Sequence, residues 1–215
     1  MIPQVKEKTK WVGTYEIDSY ESLDVSKRLN RSYSLKSNTQ LDFQVHDGAS
    51  LNLFFEDIRD LVLDINIVLG ENASCNMYGY SKNSNTKTHV ITNVFHKGCN
   101  SICEQDFRFV NNNNGTSSFK GLITIPKNIS GCESHMLNKN LLLDESALAH
   151  SKPELDIRNS QTVCTHGSTT SSIDKEHKFY LQSRGIGKKE CIDIISNAFC
   201  EAVKVKYLQM RNKYN

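Results

Sequence analysis

The sequence predicts a mainly β chain that ends in a helical segment, and three observations carry this. Apolar residues alternate with polar ones through the middle of the chain: Leu61, Leu63, Ile65, Ile67 and Leu69 occupy odd positions, with Asp64 and Asn66 between them. Period-two alternation puts all five on one face of a strand. Turn signals follow at Asp47-Gly48, Gly70, Gly98, Asn114-Gly115 and Gly131, and no strong amphipathic helix interrupts them before about residue 170. This excludes an ordinary alternating α/β fold. After that point the apolar period becomes helical.

Residues 1–40 are polar and mixed, with Lys6, Lys8 and Lys10 ahead of Trp11 and weak alternation through Tyr15 and Ile17. They read as an N-terminal lead-in that caps the first repeat, because an open sheet end needs a cover. Residues 41–170 form the β core. Leu41, Phe43 and Val45, then Leu51, Leu53 and Phe55, repeat the strand pattern, as do Phe107 with Phe109 and Phe119, Gly121, Ile123 and Ile125. The glycine-marked turns are irregularly spaced at roughly 16 to 28 residues, which suits the coils of a solenoid and the hairpins of a sandwich equally.

Residues 171–215 form the C-terminal helical segment. Ser171, Ser172 and Asp174 offer caps, Asp174 and Glu176 place acid in the first turn, and Gly185 and Gly187 offer stops. This predicts a short helix over about 174–184. Ile192, Ile195, Phe199, Ala202 and Val203 then keep helical spacing, and Lys204, Lys206, Arg211 and Lys213 put positive charge near the end of a longer second helix.

The 215 residues carry 26 Lys+Arg against 24 Asp+Glu, a net charge of +2. Such a balance gives no field that would draw nucleic acid or anionic lipid. Seven cysteines make an odd number and no secretory segment opens the chain, which points to a reducing, cytoplasmic setting. No apolar run approaches the roughly 20 residues of a membrane span. Glycosylation tripeptides at Asn72, Asn114 and Asn128 read as accidents of an Asn-rich composition that includes the run Asn111 to Asn114.

Cys164 and His166 stand two apart, so on a strand both leave by the same face and can approach one ion. Thiolate and imidazole together suit iron or zinc, yet a tetrahedral ion or a cluster takes four ligands, so the pair needs help from elsewhere. The plain alternative is a buried thiol beside a structural histidine. Cys99 and Cys103 near His96 form a rival cluster, without paired Cys-x-x-Cys motifs. Asp57, Asp60 and Asp64 are the carboxylates a polysaccharide-cleaving β protein would need, although their spacing also fits a turn and a solvated face. Gly185-Ile186-Gly187-Lys188-Lys189 lacks the spacing and hydroxyl of a phosphate loop.

Several of these segments, read in order, resemble one family. Asn138-Lys139-Asn140-Leu141-Leu142-Leu143-Asp144 and Pro153-Glu154-Leu155-Asp156-Ile157 precede Cys164-Thr165-His166-Gly167-Ser168-Thr169, Ile173-Asp174-Lys175-Glu176, Phe179-Tyr180-Leu181 and Ser183-Arg184-Gly185-Ile186. This resembles the C-terminal signature of the SufB/SufD proteins of iron-sulfur cluster assembly, and the Cys-x-His-Gly form is that of SufD. The chain is shorter than usual for that family and has Leu137 where Gln is frequent.

The resemblance implies a right-handed parallel β-helix followed by C-terminal helices. It implies a non-catalytic scaffold that pairs with SufB through the β-helix and with the ATPase SufC through the helices, or with a second copy of itself when SufB is absent. Cys164 and His166 match positions associated with the SufB–SufD interface, where iron or a nascent cluster is handled. Asp174, Phe179, Tyr180, Arg184 and Gly185 fall in the region expected to dock SufC. Two other readings stand beside this one: a Suf subunit whose Cys164 and His166 only pack, and a β-helical carbohydrate-active enzyme.

Overall fold

The computed structural model describes residues 14–15 and 19–212. The chain forms β1 (Thr14–Tyr15), β2 (Tyr20–Val25), β3 (Arg28–Tyr33), β4 (Thr39–Val45), β5 (Ser50–Phe55), β6 (Val62–Leu69) and β7 (Ser74–Ser84). It continues through β8 (Lys87–His96), β9 (Ile102–Asn112), β10 (Thr116–Ile125), β11 (Glu133–Leu142), β12 (Leu148–Ile157) and β13 (Val163–Ser172), then α1 (Lys175–Ser183) and α2 (Lys188–Asn212).

Odd-numbered strands make a seven-stranded sheet in the order β1-β3-β5-β7-β9-β11-β13, and even-numbered strands make a six-stranded sheet in the order β12-β10-β8-β6-β4-β2. Every neighbouring pair runs parallel. The chain therefore lays one strand in each sheet and climbs by one level per coil. That is a parallel β-helix, and it decides solenoid against sandwich, whose sheets are antiparallel.

The period-two residues are the reason it closes. Leu41, Phe43, Val45, Leu51, Leu53, Phe55, Leu63, Ile65, Ile67 and Leu69 all point between the sheets and are buried. Removing them from water supplies the main driving force, about 1.5–3 kcal/mol for each large side chain. Aromatic rings form a column inside: Tyr33 lies 5.3 Å from Phe55, Phe55 6.3 Å from Phe107, and Phe107 5.5 Å from Phe119. Gly79 occupies the register position between Phe55 and Phe107. A Cβ there would lie 2.8 Å from the Phe107 ring, so the missing side chain lets the rings meet.

The lead-in assigned to residues 1–40 contributes β1, β2 and β3 to the stack, with β1 paired to β3, β2 to β4 and β3 to β5. Its alternation is hard to read because the inward positions include Glu21 and Arg31. These two pair inside the first coil, and the Tyr33 hydroxyl donates to Glu21 Oε2 at 2.9 Å. An ion pair replaces the apolar residues that alternation would reveal. Lys6, Lys8, Lys10, Trp11 and Ile17 lie outside the described residues.

Asparagine has a structural use. Asn52 Nδ2 donates to Asn30 Oδ1 and Asn76 Nδ2 donates to Asn52 Oδ1, each at 2.8 Å. Such ladders join equivalent positions of successive coils, and their sequence separations grow from 22 at Asn30–Asn52 to 24 at Asn52–Asn76 and 28 at Asn83–Asn111. Asn72 and Asn114, read as compositional accidents, hold corners with φ of +55° and +58°. Asparagine adopts this left-handed conformation more readily than most residues.

Helix α2 covers the outer face of the seven-stranded sheet, stacking Tyr207 on Phe54 at 5.2 Å beside Tyr78 and Val203. Helix α1 buries no residue. Asp174 is its N-cap, accepting from the Glu176 amide at 2.8 Å, and Gly185 ends it with φ of +85°. Among the described residues no helix is long and apolar enough to cross a membrane.

Candidate functional site

Strands β12 and β13 are the outermost strands at the same end of the two sheets. Each is ten residues long. Nothing among the described residues pairs with their free edges, and Leu148 and Val163 are 53% and 59% exposed. Long open edges are templates for another strand. Charged pairs temper this one on β12, where Lys152 meets Glu154 at 2.9 Å and Arg158 beyond the strand meets Asp156 at 2.9 Å. Pro153, which cannot donate to a ladder, is tolerated on such an edge.

Register fixes where Cys164 and His166 point. Cys164 lies over Ser134 and His166 over Met136, both buried between the sheets. The two candidate ligands thus share the inner face of β13, as their spacing predicts. They remain accessible because no further coil lies over them. Cys164 is half-buried against the core, while His166 is exposed. Burial pushes the Cys164 thiol up, and Cys132 nearby adds to this against an opposing Thr162 hydrogen bond. In the free chain the sulfur is therefore a protonated thiol, and a metal must displace that proton to bind.

Cys164 tops an inner column. Cys75 pairs in register with Cys103, Cys103 with Ser134, and Ser134 with Cys164. Cys75 is fully buried, and both burial and the adjoining Cys103 hold its thiol far above the ordinary range. The coil interior also changes character toward this end. The column position of Phe107 is taken over by Asn138 and then Ser168. Buried Gln105 Nε2, Ser134 Oγ, Asn140 Oδ1 and Ser151 Oγ have no hydrogen-bond partner among the described residues.

The rival cluster is separated by the fold. His96 ends β8 and its Nδ1 bonds Ser101 Oγ at 2.7 Å, while burial lowers its pKa to about 4. Cys103 lies within β9 and Cys99 in the preceding turn. No group of three or more His, Cys, Asp or Glu side chains fit to hold a metal occurs among the described residues. Asp57 and Asp60 are corner residues with φ of +50° and +56°, and Asp64 sits on strand β6, so the three do not share one face. Gly185 to Gly187 lie between the two helices, and Lys188 and Lys189 open α2.

A cavity of about 350 Å³ adjoins the half-site, lined by Glu104, His135, Thr165, His166, Gly167 and Lys206 among others. His135 Nδ1 lies 2.7 Å from Thr165 Oγ1 and its Nε2 2.8 Å from Glu133 Oε1. Sequence reasoning missed this row. Its coil spacing, 30 residues between His135 and Thr165, differs from that of the earlier coils. On the helical side, Phe179 and Tyr180 are 73% and 58% exposed, and the Arg184 guanidinium lies 5.4 Å from the Tyr180 ring centroid.

A protein-family model described as "SUF system FeS cluster assembly, SufBD core domain" matches residues 32–199. The chain belongs to the SufBD family. The iron-sulfur cluster assembly protein SufD of Escherichia coli is 36% identical over 101 residues, 47% of this chain and 23% of that protein. A SufBD family protein of Galdieria sulphuraria is 25% identical over 175 residues, covering 80% of this chain and 76% of its own length. Another from Synechocystis is 33% identical over 81 residues, 38% of this chain and 18% of that protein. The chain thus matches under a quarter of the length of two of these three relatives. The SufD match agrees with the Cys-x-His-Gly form, and the SufBD chain is close to SufD.

Proposed function

We propose that this SufBD chain is a SufD-like scaffold in iron-sulfur cluster assembly, whose open β12–β13 end joins SufB and whose Cys164 and His166 handle iron or a nascent cluster at that junction. One observation carries the reading: the two soft-donor side chains share the inner face of the outermost strand at an end with long free edges. Two ligands from this chain leave the rest of the coordination to SufB. Burial pushes the Cys164 thiol up, so ligation at the assembled interface drives off its proton. The iron or cluster is cargo here.

Helix α1 is the proposed SufC-docking element, with Asp174 capping it, Gly185 ending it, and Phe179, Tyr180 and Arg184 exposed on its surface. SufC supplies ATP hydrolysis in the cytoplasm, and this chain performs no chemistry on ATP. Reconstitution with SufB and SufC tests the proposal. His166→Ala should assemble a complex of normal composition yet lose most cluster formation. Normal cluster formation by an intact mutant complex removes His166 from the mechanism.

A further inference from the structure

We infer that α2 is connected to the Cys164–His166 strand across the outer face of the sheet, through Lys206, Glu104, His135 and Thr165, and that His135 is a positioning residue for the half-site; the positioning role rests on the proposed reading of those two residues. Thr165 lies between Cys164 and His166 in sequence, so it points outward where they point inward. Register places Glu104, His135 and Thr165 in one row across β9, β11 and β13. The row therefore runs behind the two candidate ligands.

Each link has a physical basis. A carboxylate can only accept, so His135 Nε2–H donates to Glu133 at 2.8 Å, and Nδ1 shares a hydrogen bond with the Thr165 hydroxyl at 2.7 Å. The ring is held from both sides and pins the edge strand to its neighbour. Glu104 is the next residue in the row, at the separation where cross-strand side chains interact. From α2, Lys206 Nζ reaches Asp106 Oδ2 at 2.8 Å and Glu104 Oε1 at 3.6 Å. Asp106 is fully buried and also meets Arg108 at 3.3 Å, whose Nη1 donates to the Phe199 carbonyl of α2 at 3.1 Å.

Helix α2 therefore grips β9 at two points, and the row carries that grip to β13. The cavity over the row, lined by Glu104, His135, Thr165, His166 and Lys206, leaves the imidazole room to follow a displacement of either neighbour. A load on the helices has this lateral route to the half-site as well as the covalent one through Ile173.

Amide hydrogen exchange of the full chain tests the connection without metal or partner. Thr165→Val and Lys206→Met should each speed exchange of the amides around residues 164–168 by about fivefold, the factor for one lost hydrogen bond. Lys206→Arg should restore the wild-type rate. Lys204→Met, on the same helix but paired to Glu56 at 3.5 Å, should leave β13 unchanged. Unchanged β13 exchange in Lys206→Met, or equal acceleration by Lys204→Met, overturns the connection. For the positioning role, His135→Ala should lower cluster formation in the intact SufB–SufC complex, and His135→Asn, whose amide can take the Nδ1 position, should recover it. Equal yields from His135→Ala and wild type overturn that role. Absence of clusters even in the wild type would instead overturn the function proposed for Cys164 and His166.

Discussion

The first and last described coils of the β-helix differ in what their interiors hold. At the N-terminal end of the described residues the six-stranded sheet begins with the six-residue β2. Inside that first coil, Glu21 pairs with Arg31 and accepts from the Tyr33 hydroxyl. At the C-terminal end both sheets finish in ten-residue strands. The inward-facing side chains of the last strand there include a thiol and an imidazole, which no further coil among the described residues covers. Long unpaired edges are templates for further strands. Within one fold, the first described coil holds an ion pair in its interior, and the last leaves its edges free and a thiol and an imidazole accessible.

The largest effect that would sharpen this contrast lies in the apolar interior. Phe107→Ala removes the ring between Phe55 and Phe119 and should destabilise the chain by about 3–5 kcal/mol in chemical denaturation. A loss under about 1 kcal/mol would mean the interior is not tightly packed there.

The next effect is set by pH. Burial lowers the His96 pKa to about 4, below its unfolded value of about 6.5. The unfolded chain therefore binds more protons between those values, and stability falls as pH drops from about 7 to 4, by on the order of 3 kcal/mol. Above pH 7 both states are neutral at this site and the contribution is flat. His96→Gln should abolish that part of the slope, and an unchanged slope would place its origin elsewhere.

At the N-terminal end, Glu21→Gln removes an ion pair to the largely buried Arg31 and should cost about 2 kcal/mol. At the other end, His166→Ala should change stability by less than about 0.5 kcal/mol, because the ring is exposed. A large loss there would contradict an end held open for a partner and favour a packing role.

Legibility in the sequence followed the same division. Where inner positions are Leu, Ile, Val and Phe, as from Leu41 to Leu69, alternation revealed strand, face and burial together. It failed where Glu21 and Arg31 turn inward, since an ion pair in a coil interior carries no apolar period. Parallel pairing was hidden because the coils lengthen, and residues 22 apart at Asn30 and Asn52 become 30 apart at His135 and Thr165. The Cys164–His166 face was readable from a spacing of two, but its position at an open end depends on which strand is last. The row from Lys206 to Thr165 joins residues that only register and helix docking bring together.

The central claim is that the β12–β13 end is a half-site completed by a partner. Amide exchange and Cys164 alkylation, measured on the chain alone and bound to SufB, test it most directly. The account predicts that SufB slows exchange along β12 and β13 and suppresses alkylation of Cys164, while β2 is unaffected. Unchanged exchange on β12 and β13 in the complex, or protection confined to β2, would contradict it.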